Sequence, residues 1–383
     1  MRINPFVFGK IVKGRSFLDR REERRELITE IENHTNIILY APRRYGKTSL
    51  VLKSFEDLKR KRKSFAGLVI DFYSINTKEM FILNLTNAYA KNSGFTLNRL
   101  LKFLKNSIQD ISPSVEIDQF GNPKINVQFN RRKTDRIFEE VIDLPKKLAD
   151  SGKLVSVFFD EFQEIVKLNG KNFQKELRAA IQHHDNVSYI FSGSKYHLFT
   201  DIFQNRDNPL YHIGKTISIQ PIEERYYTQF ILKEFRTINH KFDQNAASEI
   251  YRIATGIPYY VQMLAHETFN LALLNKNTKP LELVNIAIEN IIANKNEEFL
   301  LLFESLNRSS KITLDTIIQT EGRELFRKEI LSEFRIAAST LNKALSTLIE
   351  KGIIYRSEST YTFQDVFFKK WLESRYLSSQ YSI

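Results

Sequence analysis

Four short apolar runs and a candidate fifth punctuate the first 222 residues. They are Asn36-Ile37-Ile38-Leu39-Tyr40, AGLVIDF at 66–72, LVSVFF at 154–159, VSYIF at 187–191 and TISIQPI at 216–222. Runs of this length without a polar face suit strands covered on both sides. The segments between them carry helical spacing, clearest over 48–58. Strands alternating with helices predict a parallel α/β sheet with helices on both faces. One interruption is expected: 114–118 and 124–129 alternate apolar and polar side chains around Gln119-Phe120-Gly121-Asn122-Pro123, which predicts a hairpin. Over 223–294 the pattern turns almost wholly helical, broken only by Gly256-Ile257-Pro258. A different module begins near 307, with helices expected at 312–320, 325–333 and 337–350, then Gly352 and the short strands IIYRSES and TYTFQ. Residues 325–363 thus fit a winged helix-turn-helix. The division that follows is a core over 1–222 with an insertion at about 111–130, a helical region over 223–300, and a winged-helix domain over 301–383.

The chemistry gathers where the apolar runs end. After the first comes APRRYGKTSL, residues 41–50. The nucleotide-binding pattern G-x-x-x-x-G-K-[ST] needs backbone N–H groups turned toward phosphates at a helix N-terminus. The loop Ala41, Pro42, Arg43, Arg44, Tyr45, Gly46, Lys47, Thr48, Ser49 meets that need between a strand and a helix. Lys47 is expected to reach ATP phosphates, and the Thr48 hydroxyl to hold Mg²⁺. Ala41 stands where the pattern has its first glycine, which is tolerable if its φ is negative. The third run ends in Asp160-Glu161. Carboxylates at the C-terminal end of such a strand face the crevice where these sheets bind ligands. Asp160 is assigned to Mg²⁺ and Glu161 to the attacking water as general base. The fourth ends in Ser192-Gly193-Ser194, where a hydroxyl can sense a terminal phosphate; Ser194 is the first choice and Ser192 the alternative.

Taken together these stretches resemble an archaeal-type ATPase family of the AAA+ kind, akin to the STAND NTPases. The resemblance is carried by Phe17-Leu18-Asp19-Arg20-Arg21-Glu22-Glu23, PRRYGKTSL, FFDEFQEI at 158–165, IFSGS at 190–194, NPLY at 208–211 and TGIPYY at 255–260. It implies a five-stranded P-loop core, a helical lid and a C-terminal winged helix. It implies that residues 19–25 pack near the adenine and that Gly256 and Pro258 belong to a lid motif closing over the nucleotide. Where the family commonly has Gly-Arg after NPLY, this chain reads His212-Ile213-Gly214-Lys215, so Lys215 is expected to stand in for a charge-stabilising arginine, without its fork geometry.

Composition narrows the partners. The 383 residues contain no cysteine, which excludes disulfides and thiolate metal sites. No apolar run of about 18 residues is present, so no membrane partner is expected, and a cytoplasmic protein is. The net charge is +12, but residues 1–64 hold 17 Lys/Arg against 8 Asp/Glu, whereas 301–383 hold 12 against 10. DNA affinity comes largely from phosphate neutralisation, and the candidate recognition helix AASTLNKALSTLIE has one lysine and one glutamate. Its Ser339, Thr340, Asn342 and Lys343 still offer contacts. The run Lys59-Arg60-Lys61-Arg62-Lys63 reads as a solvated helix end. The leading expectation is an ATP-binding and hydrolysing switch. Its alternatives are an ATP-regulated DNA-binding protein and a nucleotide-dependent scaffold for an unknown protein partner, with a homo-oligomer open in each case.

Overall fold

The computed structural model describes residues 3–12, 14–18, 20–92, 105, 111–117, 123–129, 134–168, 171–357 and 359–380. They fall into two compact units, Arg20–Gln220 on one side and Met1–Asp19 with Pro221–Ile383 on the other. No helix among them is long and apolar enough to cross a membrane.

The first unit contains α1 (Arg21–Glu32), β1 (Ile37–Tyr40), α2 (Lys47–Lys61), β2 (Phe65–Asp71), α3 (Lys78–Asn92), β3 (Ile111–Ile117), β4 (Pro123–Phe129), α4 (Thr134–Ile142), α5 (Leu144–Asp150), β5 (Leu154–Asp160), α6 (Lys171–Ile181), β6 (Val187–Gly193), α7 (Tyr196–Gln204) and β7 (Lys215–Ser218). Five strands form one parallel sheet in the order β2-β5-β6-β1-β7. Every residue of β5 and β6 is buried, which is why those two runs show no polar face. The predicted insertion is an antiparallel hairpin of β3 and β4, with Val115 opposite Ile125; its turn, residues 118–122, lies outside the described residues.

A phenylalanine cluster packs against the sheet and continues to the residue after the carboxylate pair. Phe162 is fully buried, with ring centroids 4.8 Å from Phe191, 5.1 Å from Phe72 and 5.7 Å from Phe203. Driving that ring into the core forces the chain to turn sharply at Glu161, which takes φ 47°. A non-glycine residue there costs on the order of 1–2 kcal/mol, less than the roughly 1.5–3 kcal/mol gained by burying a phenylalanine.

The second unit gathers α8 (Glu224–Arg236), α9 (Gln244–Ala254), α10 (Pro258–Leu274), α11 (Pro280–Asn294) and α12 (Asn296–Glu304). It continues with α13 (Arg308–Gln319), α14 (Lys328–Glu333), α15 (Ala338–Glu350), the antiparallel pair β8 (Ile354–Ser357) and β9 (Thr360–Phe363), and α16 (Val366–Gln380). The α13–β9 stretch is the winged helix. Tyr260 Oη donates to the Gln364 carbonyl at 2.7 Å, and Trp371 packs on Phe299 and Phe303, so helical region and winged helix share contacts.

The N-terminal stretch, read from the sequence as part of the core, belongs to this second unit. Phe6 is buried against Phe230, Phe235 and Phe269. Asn4 Nδ2 donates to the His266 carbonyl at 3.0 Å, and the Val7 N–H to Gln262 Oε1 at 3.0 Å.

Gly322 closes the winged helix. Its φ is +75°, its carbonyl accepts from the Tyr361 N–H at 3.0 Å, and an added Cβ would lie 1.9 Å from the Tyr361 carbonyl oxygen. Both backbones are fixed by that pairing, so a methyl has no room. Gly322→Ala is expected to cost about 2–3 kcal/mol, combining positive-φ strain with overpacking. The corresponding drop in thermal midpoint, about 4–10 °C, is readable by circular dichroism.

Candidate nucleotide site

The loop after β1 delivers the chain into α2 through Gly46, whose φ of 83° ends the loop at the helix N-cap with no side chain capping the helix. The N–H groups of a helix's first turn and the helix dipole favour an anion. Ala41 is buried and is not among the residues with positive φ; Arg44, at φ 74°, and Gly46 supply the loop's left-handed turns. The missing first glycine is therefore explained: the fold asks for no positive φ at residue 41. Pro42 follows, Arg43 is exposed, and Tyr45 and Ser49 are buried.

Lys47, only 6% exposed, turns its ammonium back onto the loop and donates to the Ala41 carbonyl at 2.8 Å and the Pro42 carbonyl at 3.1 Å. Burial depresses its pKa to about 8, against the pull of the Glu161 and Asp160 carboxylates, and Arg43 adds to the depression. Thr48 Oγ1 donates to Asp160 Oδ2 at 2.6 Å, although the two lie 112 residues apart. Asp160 Oδ1 accepts from the Ser192 hydroxyl and, at 3.1 Å, from the Glu161 N–H. Glu161 Oε2 accepts from Ser194 Oγ at 2.7 Å and Gln163 Nε2 at 2.6 Å. Both serines thus join the constellation, each on its own carboxylate.

Two participants, Gln163 and Asp71, escaped the sequence reading. Gln163 is 1% exposed and uses both ends of its amide, donating to Glu161 and accepting from the Ser194 N–H at 3.3 Å. A Cβ on Gly193 would come within 2.5 Å of Gln163 Oε1, so glycine there keeps room for the amide. Asp71 ends β2 directly beside Asp160, and its carboxyl pKa is raised, first by desolvation and then by Asp160 and Glu161. Arg20, 4% exposed, donates to the Tyr45 carbonyl of the loop at 3.2 Å and to the Gln220 carbonyl at 2.6 Å, and pairs with Glu23 at 2.7 Å. Its segment was singled out as a motif; Asp19 lies outside the described residues.

Lys215 is a correction. It opens β7 opposite Ile37, whereas the loop follows Tyr40, which stands opposite Ser218. Three strand steps, about 10 Å, separate it from the loop's edge of the sheet. Its ammonium is held by Glu26 at 2.8 Å and Glu30 at 2.7 Å, which push its pKa up to about 12. It is no part of this chain's own site. Pro258 lies in the second unit, in the first turn of α10 after left-handed Thr255 and Gly256.

A parallel sheet in this order, with a phosphate-type loop at one strand end and an Asp-Glu pair two strands away, defines a P-loop ATPase fold of the AAA+ type. The chain belongs to a family of ATPase domains predominantly from Archaea, which matches residues 17–264. Residues 297–374 match a family of winged-helix domains. An uncharacterized protein of Methanocaldococcus jannaschii is 25% identical over 251 residues, 64% of this chain and 43% of that protein, so the chain spans less than half of that relative's length. Among solved structures, the Walker-type ATPase of Pyrococcus abyssi is similar with a TM-score of 0.66 at 20% identity, over 96% of this chain and 99% of that one. The ORC2 protein of Aeropyrum pernix, solved in ADPNP–ADP complexes, gives 0.56 at 12% identity over 99% and 98%. At these identities the likeness is one of fold.

Proposed function

We propose that the first unit binds ATP with Mg²⁺ at the loop 41–49 and hydrolyses it, and that the nucleotide state is relayed through the helical lid to the winged helix. The observation that carries this reading is the connected network Thr48–Asp160–Ser192 and Glu161–Ser194–Gln163 at one edge of the sheet, beside the N-terminus of α2. Lys47 and the loop N–H groups hold the phosphates. Thr48 Oγ1 and Asp160 Oδ2 are hard oxygen donors already within hydrogen-bond distance, a set that suits Mg²⁺. When bound, the ion supplies positive charge to the phosphate oxygens. Glu161 takes the proton of the attacking water, Ser194 and Gln163 hold its carboxylate in place, and Ser192 orients Asp160. The motif Gly256-Ile257-Pro258 is the part of the second unit that this reading assigns to the lid. The scaffold alternative, binding with little hydrolysis, draws support from Lys215 being committed to Glu26 and Glu30.

The depressed Lys47 pKa gives a test. The unfolded value is near 10.4 and the folded one about 8. Between those values the unfolded chain binds more protons, so stability rises with pH there, and the cost of burying the charged lysine is fully present below about pH 8. Phosphates beside Lys47 stabilise its charged form, so the pKa with ATP bound lies above about 8. Binding then takes up a proton above that pH, and affinity falls toward about tenfold per unit. Calorimetric titration with Mg-ATP at pH 7.5 and 9.5, in buffers of different ionisation enthalpy, reads both effects. Absence of binding at either pH sinks the proposal.

A further inference from the structure

Lys215 is held by Glu26 and Glu30, so the charge expected of it has to come from another residue. The chain just after β5 grips the chain at the end of β6. Glu161 Oε2 accepts from Ser194 Oγ at 2.7 Å, Gln163 Oε1 from the Ser194 N–H at 3.3 Å, and Glu164 Oε1 from Lys195 Nζ at 2.8 Å. Glu164 is 5% exposed, and its other oxygen accepts from Lys167 Nζ at 2.7 Å. Burial by itself raises a carboxyl pKa, yet that of Glu164 is lowered, because two ammonium groups hold its charged form. One carboxylate thus has two cations, and this corner carries a surplus positive charge.

The two lysines are not equivalent. Lys167 is three residues from Glu164 in the same 3-10 turn, and its ammonium also lies over the Tyr73 ring at 5.6 Å. Lys195 comes from the other strand end, and its side chain is 52% exposed. Its Cα is about 3.8 Å from that of Ser194, the residue assigned to the terminal phosphate. An ion pair with so exposed a partner contributes little. Lys195 can therefore leave Glu164 without stranding a buried carboxylate, since Lys167 remains.

We propose that Lys195 is a charge-stabilising catalytic residue whose ammonium passes from Glu164 to the γ-phosphate of ATP. This rests on the reading of the loop 41–49 and Glu161 as an ATPase site. In that reaction the water oxygen bonds to the γ-phosphorus while the bond from that phosphorus to the bridging oxygen breaks. ADP keeps the electron pair of the broken bond, and Glu161 takes the water proton. Negative charge spreads over the γ-phosphoryl oxygens during the transfer. A cation placed beside them stabilises that state most. An ammonium is a compact charge with three rotatable donors on a flexible stem, so it can change partners without a fixed fork. Lys167 stays on Glu164 throughout.

The experiment compares variants of the full chain by calorimetry with Mg-ATP and with Mg-ADP, by phosphate release at saturating Mg-ATP, and by thermal melting. Lys195→Gln keeps an amide able to reach Glu164 and removes the charge. It is expected to lose about tenfold or more in Mg-ATP affinity, to bind Mg-ADP as the parent does, and to release phosphate about 10²–10³-fold more slowly. Lys195→Arg keeps the charge and should keep the preference for ATP over ADP. Glu164→Gln frees Lys195 from its other partner, so Mg-ATP binding should tighten by about two- to fivefold. A purely structural ion pair gives the reverse pattern. Glu164→Gln and Lys195→Gln then act alike, lowering the thermal midpoint, with ATP and ADP affinities falling together. That pattern overturns the proposal, and so does a Lys195→Gln variant with parental ATP affinity and rate. Should Lys195→Gln not fold, Glu164→Gln still decides, because weaker ATP binding there overturns the proposal. A parent that binds no Mg-ATP removes the reading of the site itself. A parent that binds and hydrolyses it, with Lys195→Gln matching it, removes this proposal alone.

Discussion

Lys47→Ala is expected to weaken Mg-ATP binding by more than 100-fold while leaving the fold intact. The ammonium is the buried cation of the loop, and it now spends two hydrogen bonds on the Ala41 and Pro42 carbonyls. Phosphate oxygens offer it stronger partners, because charge-assisted bonds contribute about 1.5–3 kcal/mol each. Losing two of them corresponds to at least about 3 kcal/mol, beyond two decades in affinity. The fold should hold because burial, rather than attraction, dominates the environment of this group and already depresses its pKa to about 8. Removing a charge that is costly to bury offsets the two carbonyls left unpaired. The thermal midpoint of the variant should therefore be no lower than that of the parent. Calorimetry reads the affinity; equal affinities in variant and parent mean that the loop is not a phosphate site.

Glu161→Gln is expected to bind Mg-ATP as the parent does and to release phosphate about 10²–10⁴-fold more slowly, the span of a general base. Both protein donors, Ser194 Oγ and Gln163 Nε2, reach the same oxygen, Oε2. Oε1 is left to accept the proton of water. Glutamine keeps the shape of the side chain and removes that basicity. Phosphate release measured under saturating Mg-ATP separates the alternatives, and a variant turning over at the parental rate assigns the base elsewhere.

Much of this site was legible because its parts sit at the ends of apolar runs. A run such as LVSVFF marks a buried strand, and the polar residues that stop it, Asp160 and Glu161, must lie at a sheet edge. Gly46, Lys47 and Thr48 carry a local pattern that needs no partner to be read. Gln163 and Asp71 escaped because their roles depend on neighbours brought in by the fold: Ser194 from the adjacent strand, and Asp160 through strand register. Lys215 was misplaced for a related reason. Its position after NPLY puts it next to a strand, but only the register with Ile37 shows that it sits at the strand's beginning, on the edge away from the loop. Residues 3–18 show no periodicity, so the burial of Phe6 among Phe230, Phe235 and Phe269 had no local signal.

The grouping of those first residues with the chain after 220 gives the molecule an unusual connectivity. The ATPase unit is a guest inserted into a host whose sequence resumes at Pro221. Its two ends are pinned together by one side chain, since Arg20 begins the guest and its guanidinium grips the carbonyl of Gln220, which ends it. The same guanidinium also grips Tyr45 in the phosphate loop. The first and last residues of this unit therefore meet at one guanidinium, and the loop backbone at Tyr45 meets them there.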